Sequence, residues 1–373
     1  MRLVCVLGIA LCMATAAGVV GSAGVPAADE PAADAATILA AAREALGGEK
    51  KLSAVTSFIA KGRSRQVRGN NLVPIEFEIL CQLPDKYLRK DEIPAQESEP
   101  TTSGFNGEAL IQIPVPPPMA AAPAAPKPPA AAPGTATSAP ATGAPAPPAG
   151  AAPAGASPAM TAAMAAAMAG RAGGPMPGGP PGDPRKARVA NLKQDFARLT
   201  LGMFAASFSG YPLTFTHVGQ AEAPQGKADV IEVKGVGTFT LRLFINSQTH
   251  LPIMVSWTVP ATNAVVTIPG QPKPENLSPG SIIVEAPAPP LAPTTKEALD
   301  QYQKDVQDLR RKALAGKLIE HRLYYADYRD IGSGLKFPFR LRRAIATDTT
   351  EEINFDGFEV NRRIDPRRFE PVK

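Results

Sequence analysis

Few side chains in this sequence have the type and spacing to do chemistry. His217, His250 and His321 stand singly, without the paired spacing of a zinc site, so no metal is expected. Cys81 falls on the apolar side of an alternating segment with no histidine or basic residue beside it, which predicts a buried core thiol and no nucleophile. The adjacent carboxylates Glu351 and Glu352 point to opposite faces of a strand, so they do not make an acid–base pair. No Gly-x-Ser-x-Gly elbow, His-Glu-x-x-His helix or Walker loop occurs in the chain. The expectation is a non-catalytic protein without a cofactor.

Two further sets of residues could bind. The first is apolar: Phe77 and Ile79 on one strand, Leu243 and Ile245 on another, Ile253, Val255 and Trp257 on a third, and Leu341 on a fourth share one parity. They make either an ordinary core or the lining of an acyl-sized cavity, and the sequence leaves both readings open. The second is basic: Arg340, Arg342, Arg343, Arg362, Arg363, Arg367 and Arg368 crowd the end of the chain. Arg340 and Arg342 alternate with Phe339 and Leu341, so they are expected on the outer face. There they are either paired with Asp348, Glu351 and Glu352 or set against anionic headgroups at a membrane surface.

The elements that must position these residues can be read from periodicity. A helix over 35–46 carries Ile38, Leu39, Ala42, Ala45 and Leu46 on one stripe and stops at Gly47-Gly48. A second starts at Asp183-Pro184 and repeats Val189, Leu192, Phe196, Leu199 and Met203. A third opens with a capping box of Thr294 and Glu297, carries Leu299, Tyr302, Val306, Leu309 and Ala313, and closes at Gly316. Such stripes need a broad apolar surface. Strands supply it at 57–67, 75–83, 239–245, 251–257, 318–327, 337–345 and 351–360, with hairpin signals at Asn106-Gly107, Gly332 to Gly334 and Asp356-Gly357. Many meandering strands with a few helices on one side predict an α+β fold: a large curved antiparallel sheet holding helices.

Of the 373 residues, 39 are basic and 34 acidic, so the net charge of +5 is too mild to imply nucleic acid. Arg2 precedes an apolar run from Leu3 to Val20 and small residues, which reads as a signal peptide over 1–23, with cleavage as late as 27. Leu11 before Cys12 argues against a lipoprotein signal. Export leaves Cys81 alone, so no internal disulfide is expected. Residues 114–182 are nearly all Ala, Pro, Gly and Met and predict a disordered insertion; 260–293 predicts a Pro-rich loop with one short strand at 264–268.

The order of these pieces resembles the periplasmic outer-membrane lipoprotein-carrier (lipoprotein-sorting) superfamily, the LolA/LolB-like fold. The resemblance is carried by the leader and the helix ending Leu46-Gly47-Gly48. It continues through Leu83-Pro84-Asp85-Lys86-Tyr87-Leu88-Arg89, Gly104-Phe105-Asn106-Gly107-Glu108 and Leu243-Phe244-Ile245-Asn246 through Thr249-His250-Leu251-Pro252. It ends with Asp327-Tyr328-Arg329, Gly334-Leu335-Lys336-Phe337-Pro338 and Val360-Asn361 before Ile364-Asp365-Pro366 and Phe369. It covers a single domain over 35–113 and 185–370; the two Pro-rich interruptions depart from a minimal carrier. The resemblance implies an unclosed antiparallel β-barrel covered by helices on its concave side, a lipid or acylated protein as partner, and a soluble periplasmic location after signal cleavage.

Overall fold

The computed structural model describes residues 34–68, 71–94, 96, 99–114, 183–223, 226–270, 277–288 and 295–371. The signal peptide read at 1–23, the insertion after Pro114 and the start of the Thr294 capping box lie outside them. No helix among the described residues is long and apolar enough to cross a membrane.

Period-two alternation of apolar and polar residues builds strands wherever one face can be buried. The first half gives β1 (Ser57–Arg68), β2 (Asn71–Gln82), β3 (Lys86–Glu92), β4 (Thr101–Asn106) and β5 (Ala109–Ile113). The second gives β6 (Thr214–Ala223), β7 (Gly226–Lys234), β8 (Thr240–Asn246), β9 (Pro252–Pro260), the short β10 (Ala264–Thr267) and β11 (Ile282–Glu285), then β12 (Leu318–Asp330), β13 (Lys336–Ile345) and β14 (Asp348–Val360). All but β10 and β11 form one 12-stranded antiparallel sheet, ordered β5-β4-β3-β2-β1-β14-β13-β12-β9-β8-β7-β6. The two halves meet where β1 pairs with β14. Among the described residues β5 and β6 are the two edges and do not pair with each other, so the sheet is open.

The helices are α1 (Ala35–Ala45), the short α2 (Glu49–Ser53), α3 (Pro184–Phe204) and α4 (Lys296–Leu314). Asp183 caps α3, accepting from the Arg185 N–H at 2.9 Å, which contributes about 1 kcal/mol. Helix α3 touches β4 and β5 near one edge as well as β13 and β9 well past the middle. Those strands are up to eight positions apart in the sheet order. A flat sheet would separate them by about 38 Å, more than the roughly 31 Å length of the helix, so the sheet curves around it. The core lies in that curve, where Ile38, Leu39, Ala42 and Leu46 of α1 and Val189, Phe196, Leu199 and Met203 of α3 are buried against the sheet. Helix α4 has no fully buried residue and leans on the parallel pair β10–β11.

Three expectations are corrected. The N-cap of α4 is Thr295, which accepts from the Ala298 N–H at 3.3 Å; Thr294 lies outside the described residues. Asp356-Gly357 is not a hairpin turn but a bulge inside β14: Lys61 faces Gly357 and Gly62 faces Phe355, leaving Asp356 as the extra residue. Long-range pairing with β1 overrides the local turn preference. Ile253 is also an extra residue, because Phe244 pairs with Met254 and Ile245 with Pro252. Pro252 takes the buried place that alternation assigns to Ile253.

Candidate functional site

The concave face under α3 gathers the apolar candidates. Phe77, Ile79, Leu243, Ile245, Val255 and Leu341 are all buried in one continuous core, and Trp257 packs half-buried at its border. Ile253 does not belong to it; it lines a recess on the opposite face of the sheet. Aromatic contacts run through this core without a break. Tyr87, Phe105 and Phe196 have centroids within 5.7–5.9 Å of one another. Phe204 meets Phe337 at 5.3 Å, and Phe337 meets Phe358 at 5.3 Å.

Between α3 and the sheet a cavity of about 20 Å³ remains, bordered by Phe77, Ile79 and Leu341 among others; Leu243, Ile245 and Val255 do not reach it. That volume holds about one water molecule. The side chains of α3 therefore occupy the space an acyl chain would need.

Sequence reasoning missed a charged seam beside this cavity. Asp195 and Arg198 of α3 face Arg343 of β13, Glu351 of β14 and Arg89 of β3. Arg198 donates to Asp195 at 2.8 Å, and Arg343 approaches Asp195 at 3.8 Å and Glu351 at 3.2 Å. Arg89 donates to Asp91 at 2.7 Å and to Glu351 at 3.4 Å, and Gln66 donates to Glu351 at 3.1 Å. Burial alone would raise the Glu351 carboxyl; Arg89 and Arg343 outweigh it and hold it below the ordinary carboxylate range. Burial, reinforced by Arg343, lowers Arg198, while Asp195 opposes the shift. The Arg198 guanidinium sits 4.1 Å over the Trp257 ring, and its Nε has no hydrogen-bond partner.

This placement corrects the expectation for Arg343, which was grouped with the surface arginines. Arg343 keeps the inward parity of Phe339 and Leu341 and pairs with Glu351; the extra residue of the bulge that follows is Thr350 of β14. Arg340 and Arg342 are exposed on the outer face, whereas Arg362 pairs with Glu359 and Arg363 lies exposed beyond the end of β14. Glu351 and Glu352 do point to opposite faces, the first buried and the second exposed. Cys81 is fully buried, and burial pushes its thiol well up. A second, smaller core on the outer face joins Leu80, Leu88 and Ile111 to Phe369 of the C-terminal 3-10 turn Pro366–Phe369.

Two tyrosines of β12 hold α3 in place. Tyr325 donates its phenol O–H to the carbonyl of Arg198, and Tyr328 donates to the carbonyl of Gly202 at 2.8 Å. At the far end Arg43 of α1 donates to the carbonyl of Ala205 at 3.2 Å.

Solved structures of similar shape include a LolA superfamily protein from Nitrosomonas europaea, with 11% identity over 91% of this chain and 98% of that one at a TM-score of 0.42. A putative outer membrane lipoprotein-sorting protein domain from Vibrio parahaemolyticus shares 9% identity over 89% and 95% at a TM-score of 0.37. A DUF1329 family protein from Desulfovibrio piger shares 6% over 90% and 97% at 0.35. No protein-family model and no curated protein matches the chain. Identities and TM-scores this low assign no function.

Proposed function

We propose that this protein is an exported, non-catalytic carrier of a lipid or an acylated protein, and that it binds acyl chains between the concave face and α3. The observation that carries this reading is the charged seam at the edge of the α3–sheet interface. A permanent interior is built more cheaply from hydrocarbon than from ion pairs. Here the ions lie where one helix meets the sheet, and Asp195 keeps 38% of its side chain exposed, so water can reach them when the helix withdraws. Withdrawal uncovers a surface of Phe77, Ile79, Leu341 and their neighbours. Each methylene buried there contributes about 0.8 kcal/mol, enough for a long chain to offset the helix contacts it replaces. Release needs only the return of α3. The buried thiol of Cys81 and the isolated histidines support a role without catalysis.

The small cavity favours a second reading, an envelope interaction module of the same fold whose core is permanently filled. Uptake of a fluorescent fatty acid, with mass spectrometry of co-purified lipid, separates the two. Saturable uptake by folded protein supports the carrier; a folded protein that takes up no probe and carries no lipid supports the filled module. The export reading is checked by fractionation and N-terminal sequencing, with a start near Gly24 or Ala28 expected in the periplasm.

A further inference from the structure

A recess of about 830 Å³ lies on the outer face of the sheet, away from α3. Its walls carry Arg63 and Arg65 of β1 and Arg340 and Arg342 of β13. Strand β14 runs between them, so the register gives two rows: Arg65, Glu352, Arg342 and Arg63, Asn354, Arg340. The two arginine pairs therefore stand about 10 Å apart, with roughly 7 Å between members of a pair. Arg63 meets Asp356 at 3.2 Å, both side chains being largely exposed. Arg342 stacks on Tyr324 at 4.1 Å and donates to Thr349 at 3.3 Å. Arg65 makes no ion pair or hydrogen bond among the described residues. Arg340 acts on Asp327 only through space, since that carboxylate is bonded to Arg329. Apolar atoms of Ile253, Tyr324, Pro74 and Pro94 complete the recess.

We propose that this groove docks an acidic, amphipathic segment of a partner polypeptide, whose carboxylates meet Arg65 and Arg340 while its hydrocarbon covers Ile253 and Tyr324. A guanidinium without a carboxylate presents its donor fork to an incoming oxyanion, and Arg342 is already held in place by its stacking. The recess and its charge pattern favour a polypeptide over a membrane. A bilayer surface is nearly flat and uniformly anionic, whereas here Glu352 sits between Arg65 and Arg342 and Glu76 faces Arg63 across the strands. Those carboxylates repel a continuous anionic surface but tolerate spaced acidic side chains. The inference does not depend on acyl binding, because the groove and α3 are on opposite faces.

The test titrates full-length protein with a fluorescein-labelled peptide of alternating glutamate and leucine, with its lysine counterpart, and with phosphatidylglycerol vesicles. Saturable binding of the glutamate peptide that weakens with salt is expected, with loss of about tenfold or more in the Arg65→Glu/Arg340→Glu double variant. Arg242→Glu, an exposed arginine of β8 outside the groove, is expected to leave binding unchanged. Circular dichroism reports whether the double variant folds; if it does not, Arg65→Gln/Arg340→Gln gives the same reading. Absence of saturable peptide binding, equal loss in Arg242→Glu, or vesicle binding that depends on Arg65 and Arg340 would each overturn the proposal.

Discussion

The ring of Tyr325 lies so close to Gly202 that a methyl group added at Gly202 would stand 2.4 Å from its ring carbons. Helix α3 can approach β12 this closely only because Gly202 has no side chain. Gly202→Ala is therefore expected to force helix and strand apart and to destabilise the fold by about 1–3 kcal/mol, despite the better helix propensity of alanine. Thermal unfolding measures the loss. An unchanged midpoint would show that α3 does not rest on Tyr325.

Arg343 is the one arginine of the seam that reaches both the helix and the buried Glu351. Arg343→Met should leave Glu351 with Arg89 as its remaining cation and with the hydrogen bond from Gln66. The cost is expected below the about 3–5 kcal/mol typical of stranding a buried charge, because Arg89 remains. Adding Glu351→Leu should recover part of the loss, and a double-mutant cycle by urea unfolding reads the coupling. Purely additive losses would mean that the pair does not interact.

Acid should lower the stability of the protein through two groups. Burial first, then Arg198 and Arg343, hold the His321 imidazole below its ordinary value, with Asp195 opposing. The unfolded chain thus takes up this proton first. The stability from neutral His321 is complete above about pH 6.5 and is lost as pH falls from there through the folded value. Glu351 is depressed as well, so its contribution is complete above about pH 4.3 and is lost as pH falls through its own folded value. His321→Gln should remove the first contribution and leave the second, which urea midpoints measured across this range will show.

Much of this architecture was legible in the chain. The stripe Val189, Phe196, Leu199 and Met203 placed α3 on the core, and the alternation around Phe77 and Leu243 gave the buried parity, because both follow from local period alone. Ile253 sits at a bulge, where an extra residue reverses the alternation, whereas Arg343 follows the inward parity of Phe339 and Leu341 and looks like a surface residue only by its charge and its exposed neighbour Arg342. Asp356-Gly357 carried a turn preference that pairing with β1 overrode. The seam joins residues of α3, β3, β13 and β14, and the outer groove depends on which strands become neighbours in a curved sheet. Neither property is written in any local stretch.

If α3 leaves the sheet to admit an acyl chain, a reversible cross-link between helix and sheet should close and reopen the site. Cysteines at Gly202 and Tyr325, facing each other across the α3–β12 contact, would tie the helix down when oxidised and free it when reduced. Uptake of a fluorescent fatty acid is then measured in both states, with circular dichroism confirming the fold. Uptake is expected in the reduced protein and little in the oxidised one, restored by reductant. Equal uptake in both states, or none in folded reduced and wild-type protein, would show that α3 does not open to admit an acyl chain.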